Sequence, residues 1–259
     1  FVGDQYRVDK ISKHFDTIEF TTQKREFKTT TGTYKNKQFS IISTGIGPDN
    51  IDIVMNELDA LVNIDLQTRK PKEKLTSLNI VRIGTSGSLQ ADIPVDSYII
   101  SSHALDLNGM LHSYQIEEIA NPEIEKAFVK HTNWSAKRAA PILIGNHKEL
   151  EHKLTSKDTF AGITATAGGF YGPQGRVLRL NLQDDDLNQK IDSFSYNDHR
   201  ITNLEMETSA IYGLAKLLGH NACSISAIMA NRANGTFSKS PDKLMASLIS
   251  YTLEKLVKI

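Results

Sequence analysis

The segment Ile201–Gly219, ITNLEMETSAIYGLAKLLG, constrains this chain more than any other. Its first residues have the character of a strand end. Ala210, Ile211, Leu214, Leu217 and Leu218 then recur at helical spacing and lay down one apolar face. Gly219 supplies the stop. Glu205 and Glu207 stand at the crossing from strand to helix, inside an otherwise apolar stretch. A strand that feeds straight into an apolar helix is α/β architecture, in which ligands gather at the carboxyl ends of strands. Carboxylates buried there are costly unless donors or cations meet them. The segment is therefore either a charged helix start closed by a salt bridge or part of a site.

The rest of the chain repeats the alternation. Strand patterns cover Phe39–Ser43, Leu78–Ile83, Ser97–Ser101, Pro141–Ile144, Phe160–Ala165, Val177–Leu182 and Ala222–Ala230. Ile51, Val54, Met55, Leu58, Leu61 and Val62 mark an amphipathic helix. Further helices are expected over Pro122–Lys130, Asp184–Asp192 and Pro241–Val257. Thr44–Pro48 and Gly84–Gly87 read as glycine turns after strands, and Lys24–Phe27 as a polar hairpin-like stretch. Gln67–Lys74 reads as a solvated loop and Gly168–Gly175 as a mobile one. No linker divides the 259 residues, so one domain is expected.

Composition excludes several classes. Lys plus Arg and Asp plus Glu both total 30, so no net charge favours nucleic acid or a membrane surface. No apolar run approaches the ~18 residues of a membrane span, and no signal peptide opens the chain. A lone Cys223 cannot form an internal disulfide, which suits a cytoplasmic location. A chain opening at Phe1 rather than Met suggests that its native N-terminus lies upstream. The histidines are scattered without metal-ligand spacing, and neither G-x-S-x-G nor G-x-G-x-x-G occurs, so neither metal nor dinucleotide is expected.

Four places carry candidate chemistry. Gly3 and Arg7, in FVGDQYRV, combine a glycine turn with an arginine, which makes either an anion pocket or an ordinary surface turn. Arg82 interrupts an apolar strand and must pair with an anion or a carboxylate, with the Thr85 hydroxyl close behind. Phe170, Gln174 and Arg176 lie in GGFYGPQGR; glutamine both donates and accepts, arginine only donates, and the ring offers a stacking face. Such a set suits a lactam edge, N–H beside C=O. Arg232 ends a strand from which it can reach the same region.

Together these motifs resemble the trimeric/hexameric-type nucleoside phosphorylase family, which includes the uridine phosphorylases. GDQYR, KREF, STGIG, VRIGTSG, GFYGPQGR, NLEMET and IMANR follow one another in the family's order, nearly end to end. The resemblance implies a single-domain three-layer α/β/α fold, with a central mixed, partly barrel-like sheet flanked by helices. It implies phosphate held by Gly3, Arg7, Arg82, Thr85 and Arg25 of a neighbouring subunit. Ribose would lie on Thr85, Met206 and Glu207. The base would lie against Ser86, Gly87, Phe170, Gln174, Arg176, Glu205 and Arg232. Arg82, Gln174, Arg176 and Glu207 would carry the catalysis. The Gln-x-Arg pair is the mark of uridine phosphorylases within the family. Purine-acting members place an acid at the strand end occupied here by Asn231-Arg232, so uridine is expected to be cleaved by inorganic phosphate without a cofactor. Shared sites further imply a homo-oligomer built from dimers. A nucleosidase, a purine nucleoside phosphorylase and a non-catalytic nucleoside-binding protein are the alternatives.

Overall fold

The computed structural model describes residues 1–258. It begins with α1 (Gln5–Ser12) and an antiparallel meander of β1 (Thr17–Lys24), β2 (Phe27–Tyr34) and β3 (Lys37–Ile42). Helix α2 (Pro48–Asn63) leads into a small hairpin of β4 (Ile64–Asp65) and β5 (Lys70–Pro71). The remaining strands form one eight-stranded mixed sheet: β6 (Asn79–Ser88), β7 (Tyr98–Asp106), β8 (Ile142–Gly145), β9 (Thr159–Thr166), β10 (Ser195–Tyr196), β11 (His199–Glu205), β12 (Asn221–Asn231) and β13 (Thr236–Phe237). Helices α3 (Pro122–Thr132), α4 (Lys148–Leu154), α5 (Leu187–Asp192), α6 (Thr208–Leu217) and α7 (Pro241–Leu256) cover it.

The sheet closes on itself. Strand β12 pairs in parallel with β6 and antiparallel with β7, so β12, β6, β11, β9 and β7 form a ring. Closure removes edges, but it also buries polar groups that must find partners. A chain of side-chain hydrogen bonds crosses four strands of the ring. Ser101 meets Thr164 at 2.6 Å, Thr164 donates to Asn203 Oδ1 at 2.8 Å, and Asn203 Nδ2 donates to Ser86 Oγ at 2.7 Å.

Apolar helix faces pack outside the ring in three groups. Val8, Ile11, Leu150, Leu154, Leu248 and Leu253 bring α1, α4 and α7 onto β12. Ile51, Met55, Ile211 and Leu214 place α2 and α6 over Ile80 and Ile144. Ile124, Phe128, Leu187 and Ile191 seat α3 and α5 against Ile201 and Leu204. Within α6, the buried Tyr212 hydroxyl donates to Ser101 O at 2.7 Å and accepts from Ser224 N at 2.8 Å. That side chain pins the helix to β7 and β12. No helix among the described residues is long and apolar enough to cross a membrane.

Several expectations are corrected. Gly84–Gly87 is not a turn: β6 runs on to Ser88, paired with β12 through one irregularity, where Met229 is passed over between the partners of Ser86 and Gly87. The bend at Gly3 follows the Val2–Ser43 bridge as expected, but it runs straight into α1, whose Tyr6 N–H is met by the Asp4 side chain. Val177–Leu182 alternates like a strand but is irregular, with Leu178 and Leu180 79% and 73% exposed. Gly168–Gly175 contains a short 3₁₀ turn that fixes a buried Gln174. The helix expected from Asp184 begins only at Leu187, and α4 carried no expectation at all.

Candidate active site

Strand β11 delivers its last residue, Glu205, to the start of α6, where orphan helix N–H groups need acceptors. The Glu205 carboxylate accepts from Thr208 N at 3.0 and 3.1 Å, from Glu207 N at 3.0 Å and from Thr166 Oγ1 at 2.7 Å. It is the helix-start acid of the simpler reading. It lines the cavity described below, but its oxygens are taken up by the scaffold, which leaves them little capacity for the base expected there.

Arg82 enters from β6. Its Nη2 lies 2.5 Å from Glu207 Oε2 and 3.1 Å from Glu205 Oε2, and Nη1 donates to Ser226 Oγ at 3.2 Å. All three charged side chains are buried. Arg82 reaches them by folding back along its own strand across Gly84. A Cβ at that position would stand 1.8 Å from Nη1. Burial works against the Arg82 charge, and Glu205 and Glu207 outweigh it, leaving the guanidinium above its ordinary value. Glu207 has one fixed donor besides Arg82, the Gly47 N–H at 2.8 Å, which opens α2 at a φ of 95° suited to glycine. Burial raises the Glu207 carboxyl, and Arg82 opposes the rise.

Arg7 comes to the same place from α1. Its Nη1 donates to Ile83 O at 3.2 Å, and burial together with the charge of Arg82 lowers its pKa. The two guanidiniums and two carboxylates face one cavity of about 940 Å³.

The far end of that cavity is built by the glycine-rich loop. Gln174, only 2% exposed, accepts at Oε1 from Arg176 Nη1 at 2.5 Å and from Arg232 Nη2 at 2.7 Å. Arg232 Nη1 also donates to Gln174 O at 3.0 Å. Arginine only donates, so the atom between the two guanidiniums is the amide oxygen, and the glutamine is left with its NH₂ as a donor. Arg176 lies 3.9 Å above the Phe170 ring. Burial, with Arg176 alongside, brings Arg232 down to about 10, and burial lowers Arg176 as well. Neither arginine has a carboxylate partner among the described residues.

Of the residues singled out from sequence, Gly3, Arg7, Arg82, Thr85, Ser86, Gly87, Phe170, Gln174, Arg176, Glu205, Met206 and Glu207 line this single cavity. Arg232 does not line it but fixes a residue that does. Arg25 is exposed at the turn between β1 and β2, with φ 56°, and lies outside the cavity of its own chain. Sequence reasoning missed the Ser226 acceptor and the Gly47 donor, along with Glu26, Asn50, Met229 and Phe237 in the wall. Serines at 224 and 226 within an apolar run were the available signal for Ser226.

Comparison with known proteins gives the family and the fold. The chain is 29% identical to the uridine phosphorylase of Thermococcus kodakarensis over 265 aligned residues, spanning 99% of this chain and 80% of that protein. It is 24% identical to the DeoD-type purine nucleoside phosphorylase of Listeria monocytogenes, over 99% of this chain and 92% of the relative. Among solved structures, a nucleoside phosphorylase of Trypanosoma brucei, described as showing uridine phosphorylase activity, superposes with a TM-score of 0.89. That match covers 100% of this chain and 92% of the other at 28% identity. The family model of the phosphorylase superfamily matches residues 1–257, and the chain belongs to that superfamily as an enzyme of its nucleoside phosphorylase family, a pentosyltransferase.

Proposed function

We propose that this enzyme is a uridine phosphorylase, converting uridine and inorganic phosphate to uracil and ribose 1-phosphate. The observation that carries the choice of base is the Arg176–Gln174–Arg232 arrangement. It presents N–H donors to a ligand and no carboxylic acid. Such an edge suits the carbonyl oxygens of uracil and strengthens as negative charge arrives on the leaving base. A purine leaving through N7 needs an acid there. Asn231, at the strand end where purine-acting relatives resembling this chain keep one, instead donates to Gln90 O and Ile93 O at 2.9 and 2.8 Å.

In this reading phosphate sits at the opposite end, between the turn at Gly3, Arg7, Arg82 and Thr85, with Arg25 of the partner subunit completing the cradle. Glu207 and Met206 hold the ribose between the two ends. Cleavage of the N-glycosidic bond leaves a cationic sugar, and the phosphate serves both as its counter-charge and as its nucleophile at C1′. No covalent enzyme intermediate is needed. The test is uracil release from uridine with and without inorganic phosphate. Phosphate-dependent release with ribose 1-phosphate as co-product is expected. Release without phosphate identifies a nucleosidase, and release from inosine alone overturns the choice of base.

A further inference from the structure

Arg82 and Arg7 bring two positive charges to the proposed phosphate end, and Glu205 and Glu207 bring two negative ones. Asp4 from the α1 cap and Glu26 from the β1–β2 turn line the same cavity. A phosphate dianion entering there recruits Arg82, whose Nη2 is shared between Glu207 at 2.5 Å and Glu205 at 3.1 Å. The two carboxylates are not equally able to give it up. Glu205 keeps the Thr166 hydroxyl and the two backbone N–H groups of Glu207 and Thr208. Glu207 keeps only the Gly47 N–H.

Resting on the phosphate assignment above, we propose that anion binding draws a proton from solvent onto Glu207. The carboxyl loses its one salt-bridge partner among the described residues and gains a dianion as a neighbour, at a position only 6% exposed. Both changes disfavour its charged form. No covalent bond changes; one proton passes from buffer to a Glu207 oxygen. The neutral carboxyl then donates as well as accepts, so phosphate loads the residue that holds the ribose hydroxyls. Nucleoside and phosphate sites are thereby coupled through one side chain.

Sulfate separates this effect from the titration of phosphate itself, because it stays a dianion throughout the neutral range. Calorimetric titration of the whole enzyme with sulfate at pH 7, in buffers of differing ionisation enthalpy, reads proton uptake directly. We expect close to one proton per sulfate, and an affinity falling about tenfold per pH unit above the Glu207 titration of the free enzyme. Glu207→Gln should take up no proton and bind sulfate more tightly, with no pH slope. Sulfate bound by wild type without proton uptake, and competed off by phosphate, overturns the coupling alone. Sulfate and phosphate binding unaffected by Arg82→Ala overturns the phosphate assignment, and the coupling with it. The wild-type measurement stands whether or not the variant folds.

Discussion

Gly84→Ala isolates what the Arg82 position contributes without replacing a charged residue. An added Cβ would sit 1.8 Å from Arg82 Nη1 and 2.6 Å from Cζ, against an ordinary contact of 3.4 Å or more. The guanidinium must retreat by roughly 1.5 Å, enough to break hydrogen bonds whose tolerance is a few tenths of an ångström. What gives way is the mobile end of a side chain, and Gly84 lies within a continuous strand ladder, so alanine fits the backbone. Charge-assisted hydrogen bonds contribute about 1.5–3 kcal/mol each. Losing about 3 kcal/mol of transition-state stabilisation lowers turnover about 10²-fold. The displaced guanidinium reaches the open cavity and regains water, so the melting point should fall by only about 5–10 °C. Gly145→Ala, on β8 and outside the cavity wall, is the matched control, since its Cβ would meet His103 Cδ2 at 3.4 Å, an ordinary contact. Steady-state phosphorolysis and thermal melts of both variants are the assay. A Gly84→Ala enzyme within about threefold of wild type refutes the claim that turnover depends on the room Gly84 leaves for Arg82.

Two more expectations test other parts of the molecule. If Arg25 serves the partner subunit's cavity, Arg25→Ala and Arg82→Ala are each nearly inactive, yet a co-refolded equal mixture regains about a quarter of wild-type activity through hybrid dimers with one intact site; no recovery in a mixture shown to contain hybrids excludes the shared site. Burial, reinforced by the nearby His199 and Lys148, pushes His103 down to about 4 from an ordinary 6.5. A depressed histidine favours the fold in its neutral form, so stability should fall as pH drops from 6.5 towards 4, and His103→Gln should flatten that part of the melting-point profile.

What was legible in the sequence follows how local each signal is. Helices α2, α3 and α7 were visible because their apolar positions repeat every turn and each has proline at its start. The hairpin turn at Arg25 and Glu26 was visible as a polar interruption. Val177–Leu182 had a strand's alternation but no strand to pair with, and pairing is a property of the whole sheet. Gly84–Gly87 looked like punctuation because glycine usually is. Gly84 is there instead because Arg82 has to lie across it, and a close approach between residues two apart on one strand leaves no periodic trace. The ring closure between β7 and β12 joins segments more than a hundred residues apart, which no window along the chain can show.

The two acids of Glu205-Met206-Glu207 show where sequence reasoning about the site stops. A helix-start acid with a salt-bridged neighbour, and a ligand-binding pair, were rival readings of one motif; the geometry makes Glu205 the helix-start acid and puts Glu207 in a salt bridge with Arg82. What separates the two is the count of fixed donors each one meets. Glu205 points back at the N–H groups of its own helix and at Thr166 on the neighbouring strand. Glu207, two residues on, has turned towards Arg82 and the Gly47 N–H, groups brought from β6 and from the start of α2. A carboxylate held by the N–H groups of its own helix stays tied to that helix. One whose chief partner is a side chain can change partners when a ligand offers that side chain a better one. Sequence carries the charges, but the donors come from elements far along the chain, so the division of labour between adjacent glutamates emerges only when β6, β11, α2 and α6 meet.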